Sequence, residues 1–324
     1  GAGDAFNTRK SVSKLANSFS NIAAYANMLP LNKNMKLDTS VTDEDAYRTY
    51  LTTYCEEYNP KFLSYDNYPF EWSQDAMKGT PGKADYYYFK NLAIVREIAN
   101  QYQIPFWTHV QSGDYFDQNA GYENKHNPSE GKFKWQINVE LAFGAKGIQY
   151  FPLVQPDGYE TTASGTTDYT RNGLIGKDGN TTEWYTYAQE MNQQIKNIDH
   201  VLMNSVSKGI MATGDYASAN MDQANQSSSI LLTEFDLGGV NPKITTLTTT
   251  GTTYGAIAGC FDYQGKAAVY VLNYDVEQAR NVTLGWNKSC SYKVLDRNGE
   301  TAKEPATECT LALGAGEAAL LVFE

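Results

Sequence analysis

Through residues 9–203 the chain alternates short apolar runs with longer stretches of helical spacing. The short runs are "NIAAYANMLPL" (21–31), "KFLSYDNYPF" (61–70), "IPFWTHVQ" (104–111) and "KGIQYFPLV" (146–154), with starts about 40 residues apart. The runs are too short for helices and rich in aromatic residues, so they predict strands. Between them lie four helical patterns. Residues 42–58 open on Thr42, with Asp43, Glu44 and Asp45 in the first turn, a charge pattern that favours a helix N-terminus. Residues 83–102 place Leu92, Ile94, Val95 and Ile98 at helical spacing, residues 131–147 end on a Gly144 to Gly147 stop, and residues 182–203 close the series. A further helix is predicted around 9–20.

Strands that alternate with helices predict a parallel sheet. Two α/β architectures fit: a doubly wound open sheet, or a (β/α)8 TIM-barrel type. No GxGxxG or phosphate-loop motif follows any strand, so the nucleotide-binding form of the open sheet lacks its signature. The barrel needs eight strands, and only about four βα units are visible, which makes this a partial barrel. From residue 207 the texture changes: Ser and Thr rise and short alternating runs take over. Turn signals stand at Tyr263-Gln264-Gly265-Lys266 and Asp296-Arg297-Asn298-Gly299. The expectation is a partial barrel over 1–206 and an all-β sandwich over 207–324, with 204–227 as the boundary loop.

Composition narrows the chemistry. The chain has 324 residues and a formal net charge of −11, which argues against binding a nucleic-acid backbone. No apolar run is long enough to span a membrane. No signal peptide is visible at the start, "GAGDAFNTRK". Aromatics make up 13% of the residues, and 24 of them are Tyr, a side chain suited to surfaces packed on one side and wet on the other. The four cysteines and three histidines show no zinc-ligand spacing, so neither a metal nor another cofactor is expected. Cys290 and Cys309 are candidates to face each other across a strand pair.

In a barrel the reactive face is built at the C-terminal ends of the strands. The first strand ends in Asn27. The second ends in Tyr65, Asp66, Asn67 and Tyr68, with Phe70 and Trp72 close behind. Trp107, His109 and Gln111 share one side of the third by alternation, followed by Asp114 and Asp117. The fourth carries Gln149 and Tyr150. These tips are aromatic residues with Asn, Gln and Asp, and they carry few cations, which disfavours phosphate. Amides and carboxylates suit hydroxyl groups, and flat rings suit the apolar faces of a sugar. The competing reading is that these groups satisfy one another inside a packed barrel mouth. Glu140, in the middle of a helical pattern, reads as structural.

The segments "FLSYDNYPF", "IPFWTHVQ", "ELAFGAKGIQYFPL" and "NGLIGKDGNTTEWYTYAQEMNQQI" together resemble the second half of a β-galactosidase-like glycoside hydrolase barrel. The resemblance is to relatives of the family 42 enzymes found in gut carbohydrate-degrading bacteria, and "GEAALLVFE" resembles the last strand of the small β-domain that ends many of them. It implies action on, or binding of, a neutral oligosaccharide or galactoside. It also implies a bacterial protein that is secreted, periplasmic or at the cell surface.

In that superfamily two glutamates do the chemistry, one closing the fourth strand and one the seventh. Here "YANMLPL" resembles the fifth strand, which places the acid/base Glu upstream of Gly1. "IPFWTHVQSG" stands at the seventh, with Val110 and Gln111 where the nucleophile belongs. Three readings stay open. Asp66 supplies a carboxylate, or Asp114 or Asp117 acts as base from a loop in an inverting layout, or the site binds sugar without cleaving it. The substrate-binding candidates are Asn27, Tyr65, Asn67, Tyr68, Trp72, Trp107, His109, Gln111, Gln149 and Tyr150. A half barrel also leaves open sheet edges, so self-association or a missing barrel half is expected to cover them.

Overall fold

The computed structural model describes residues 10–16, 18–19, 21–23, 25–31, 40–70, 87–113, 128–154, 158–162, 165–169, 173–176 and 178–324. Four strands, β1 (Asn27–Met28), β2 (Leu63–Asp66), β3 (Phe106–Gln111) and β4 (Gly147–Phe151), form a parallel sheet in chain order. The intervening helices are α1 (Asp43–Tyr58), α2 (Tyr88–Tyr102) and α3 (Glu130–Phe143), and α4 (Glu183–Leu202) follows. Between β4 and α4 lies a hairpin of β5 (Gly158–Thr162) and β6 (Gly165–Tyr169). Residues 10–16 are helical.

Local chemistry explains the helix ends. Thr42 caps α1, its Oγ1 accepting from the Asp45 backbone N–H at 3.1 Å, and three acids occupy the first turn. Ser129 caps α3 in the same way, accepting from the Lys132 N–H.

The antiparallel region begins with β7 (Ser205–Thr213) and the helix α5 (Asp215–Asn225), where a boundary loop was expected. The remaining strands are β8 (Ile244–Thr249), β9 (Ala256–Tyr263), β10 (Lys266–Asn273), β11 (Arg280–Asp296), β12 (Gly299–Leu313) and β13 (Ala318–Phe323). Instead of two separate sheets, they form one seven-stranded sheet in the order β12-β11-β13-β10-β9-β7, with β8 on β11. The long β11 makes this possible. Its first half pairs with β8 and its second half with β13, with β12 along its other side and the register shifting between Gly285 and Cys290. The sheet thereby curls and encloses a core of its own. Cys309 lies opposite Leu284 and Cys290 opposite Ala306, and both thiols are free.

Strand β10 is buried on both faces. Val269 and Val271 point into the curled sheet's core, and Ala268, Tyr270 and Leu272 join the core shared with the helices. Helix α3 packs so tightly on β9 that a Cβ placed on Gly259 would lie 2.2 Å from the Ala142 carbonyl oxygen. Buried polar ties reinforce the contact. Asn138 Oδ1 accepts from Tyr270 OH at 2.6 Å and from Gln194 Nε2 at 3.1 Å, and Asn138 Nδ2 donates to the Gly316 carbonyl. Lys134 meets Glu130, Glu190 and Glu317 around one ammonium. The helical layer therefore sits between the parallel sheet and the curled sheet. No helix among the described residues is long and apolar enough to cross a membrane.

Candidate functional site

Side chains along a strand alternate between faces, and neighbours in register share a face. In β3, Phe106, Thr108 and Val110 are buried toward the helices, and Thr108 Oγ1 donates to Glu140 of α3. Trp107 and His109 therefore point to the other face, where both are half-buried. Register carries that face across the sheet: Asn27 beside Ser64, Ser64 beside Trp107, Asp66 beside His109, and His109 beside Gln149.

Hydrogen bonds run through this face in a chain. Tyr25 OH donates to Gln149 Oε1 at 3.4 Å, and Gln149 Nε2 donates to Ser64 Oγ at 3.3 Å. Ser64 Oγ donates to Asn27 Oδ1 at 3.1 Å, and Asn27 Nδ2 donates to Asp66 Oδ1. His109 Nδ1 lies 3.3 Å from the Tyr65 carbonyl oxygen, which fixes the ring from beneath and leaves Nε2 to the face. Asp66 is the one carboxylate in this network of described residues.

Rings occupy the adjoining part of the same face. Trp107 stacks on Phe62 with centroids 4.1 Å apart and an 18° interplanar angle, and Tyr25 tilts against Phe62 at 5.2 Å. The indole lies directly over Gly147, where an added Cβ would come within 2.5 Å of it. Glycine at 147 thus lets the ring lie flat across the sheet.

The structure gathers Asn27, Asp66, Trp107, His109 and Gln149 on one face. It does not place Tyr65 there: that ring is 2% exposed and points into the helix-covered core. Tyr150 alternates to the same covered side, stacking on Phe133 and donating to Asn192 Oδ1 at 2.9 Å. Gln111 is buried, and its backbone is clasped by the Gln136 side chain, which accepts from its N–H at 3.1 Å and donates to its carbonyl at 2.8 Å. Tyr68 is buried against Phe151, Asn67 is half-buried at the end of β2, and Phe70 packs on Trp135 in the core. Trp72, Asp114 and Asp117 lie outside the described residues.

Sequence reasoning passed over Ser64, Phe62 and Tyr25. Ser64 joins Asn27 to Gln149 and is the centre of the chain of bonds. Alternation was the available signal, because Phe62, Ser64 and Asp66 fall on one side of β2. Glu140 is buried in the helical core, and burial pushes its carboxyl up to about 8, while donors on Thr108 and Tyr88 pull the other way. It faces α2 and β3 from α3 and takes no part in the open face.

A cavity of about 520 Å³ lies at the other end of the strands, beside Pro105, Phe106 and Lys146, which precede or begin β3 and β4. Lys146 Nζ donates there to the carbonyls of Leu202 and Ser205, closing the end of α4. Burial pushes its ammonium down to about 8. The cavity is remote from Asp66 by strand direction and is not the candidate site.

No protein-family model matches the chain, and no curated protein matches it. Among solved structures, it is similar to the α-fucosidase of Thermotoga maritima in complex with fucose. The identity is 9% and the TM-score 0.32, over 87% of this chain and 56% of that one. It is likewise similar to the α-amylase of Geobacillus thermoleovorans complexed with acarbose, at 11% identity and TM-score 0.33, over 87% of this chain and 57% of that one. The chain thus spans a little over half the length of these structures. Similarity at this level carries no functional weight, and the reading of the site rests on its own residues.

Proposed function

We propose that the chain binds a neutral oligosaccharide or glycoside on the open face of its parallel sheet, as a β-galactosidase-like relative of the family 42 glycoside hydrolases. The observation that carries this reading is the chain of bonds Tyr25–Gln149–Ser64–Asn27–Asp66 beside the stacked pair Phe62 and Trp107. A sugar ring has a rim of hydroxyls that both donate and accept, and faces made of C–H groups. Side-chain amides and a carboxylate match the first, and the exposed Tyr25 ring, at the edge of the cluster with Phe62 and Trp107, matches the second.

Hydrolysis needs more than the described residues of this face supply. Glycosidase chemistry uses two carboxyl groups, roughly 5–5.5 Å apart for retention and 6.5–9.5 Å for inversion. The described network holds one, Asp66. Binding is therefore the reading the geometry favours, with Asp66 as a hydroxyl acceptor rather than one of a catalytic pair.

Calorimetric titration of a panel of neutral galacto- and gluco-oligosaccharides tests it. Saturable binding is expected for at least one, weakened about tenfold in Asp66→Ala, a loss in keeping with a charge-assisted hydrogen bond. Absence of binding across the panel sinks the proposal. Turnover of aryl glycosides by the wild type, abolished in Asp66→Asn, would instead make Asp66 catalytic.

A further inference from the structure

On the helical side of the molecule a groove of about 580 Å³ opens between α1, α2 and the segment after α5. Arg96 of α2 lies in its wall and is only 6% exposed. Its Nε donates to Ser207 Oγ at 2.7 Å and its Nη2 to the Ser207 carbonyl at 2.9 Å. Both acceptors are neutral. Among the described residues no carboxylate stands at salt-bridge distance from this guanidinium, and no acceptor takes the Nη1 hydrogens.

Glu97, the acid in the same wall, is already committed. Its two oxygens accept from Arg48 at 3.3 and 3.0 Å. Asp45, which also lies 3.7 Å from Arg48, is mostly exposed and outside the wall. Glu97 also acts on Arg96 through space, but two cations, Arg48 and Arg96, share this one acid, so one positive charge is left over in the wall.

The facing wall is a run of serines, Ser227, Ser228 and Ser229. The N–H groups of Ser227 and Ser228 both donate to the Ala224 carbonyl, which occupies one of the acceptors at the end of α5. Asn225 turns its Oδ1 to the N–H groups of Ile230 and Leu231. The three serine hydroxyls make no hydrogen bond among the described residues, and each can donate one to a bound anion.

We infer that this groove binds a tetrahedral oxyanion, a phosphate or sulfate group either free or as a monoester, with Arg96 supplying the charge and the serine hydroxyls completing the donors. A nearly buried cation with no carboxylate hydrogen-bonded to it is costly, and an anion relieves that cost. The planar fork of arginine suits oxyanions better than an ammonium does. Burial pushes the guanidinium down to about 10, so it stays cationic at neutral pH. The site is independent of the sugar face, because α2 lies on the covered side of the parallel sheet.

Titration calorimetry of inorganic phosphate and of methyl phosphate, at ionic strength held constant with chloride, is the test. Wild type is expected to show saturable heat in the millimolar range, from both ligands if the group suffices and from phosphate alone if the free ion is required. Arg96→Met and Ser229→Asp are each expected to weaken binding by about tenfold or more. Ser229 is exposed, so the second variant keeps the fold and the Arg96–Ser207 bonds while carrying a competing carboxylate into the groove. No saturable heat from either ligand in the wild type overturns the inference, as does an affinity that Ser229→Asp leaves unchanged.

Discussion

At the scale of single residues, environment decides what each carboxyl group can do. Asp66 sits on an open face and accepts from Asn27, whereas Glu140 sits in the core under Thr108 and Tyr88. For Glu140 the consequence is a pH-dependent stability. Its folded value of about 8 lies above the ordinary 4.5. Below about pH 4 the carboxyl is protonated in both states and contributes no slope. Between the two values the unfolded chain releases the proton while the folded chain keeps it, so stability falls as pH rises, by about 1.4 kcal/mol per pH unit at most. Urea midpoints at pH 5 and pH 7.5 are expected to separate for the wild type and to draw together in Glu140→Gln. Equal separation in both proteins would show that Glu140 is not the group responsible. Sequence alone separated the two acids only by position, one at a strand tip and one inside a helix. Burial of Glu140 followed from the side of α3 it occupies, and that side depends on β3 lying beneath it.

At the scale of elements, caps and periodicity were the legible signals. Thr42 with its acidic first turn marks α1 within a residue, and the apolar spacing of Leu92, Val95 and Ile98 marks α2. Replacing Thr42 by Ala removes the acceptor for the Asp45 N–H, and a loss of about 1 kcal/mol in urea unfolding is expected. No change would mean that solvent satisfies that N–H equally well. Two elements were poorly legible. Among its described residues the run 21–31 contributes only Asn27–Met28 as strand, because pairing along β2 begins at Ser64 and ends at Tyr65. Helix α5, "DYASANMDQAN", carries no apolar signature, because its buried side is made of Ala217, Asn220, Met221 and Ala224. Those positions keep helical spacing, but small and polar residues hide it from a hydrophobic pattern. The curled sheet differs from the expected sandwich for a similar reason: alternation reports that strands are buried but not which neighbour each half of β11 takes.

At the scale of the whole molecule, the described residues cover the parallel sheet unequally. Parallel sheets are ordinarily packed on both faces. Here α2 and α3 cover the side of Tyr65, Thr108 and Tyr150, and the curled sheet lies beyond them, sharing their core through Phe261, Tyr270 and Leu320. The opposite face keeps Trp107, His109, Asp66 and Gln149 only half-buried. That asymmetry is the basis of the functional proposal. Of the candidate site, the sequence disclosed the residue types and the strand tips. It did not disclose which of them share a face, because that depends on register between strands about 40 residues apart. The most direct measurement is therefore one that reports from Trp107 itself. Tryptophan emission should be followed while a neutral oligosaccharide that binds calorimetrically is titrated into the wild type and into Trp107→Phe. The proposal predicts a saturable change in the wild type at the calorimetric affinity, and its loss in Trp107→Phe. An emission change that persists in Trp107→Phe, or binding with no change in the wild type, would contradict the assignment of the sugar to this face.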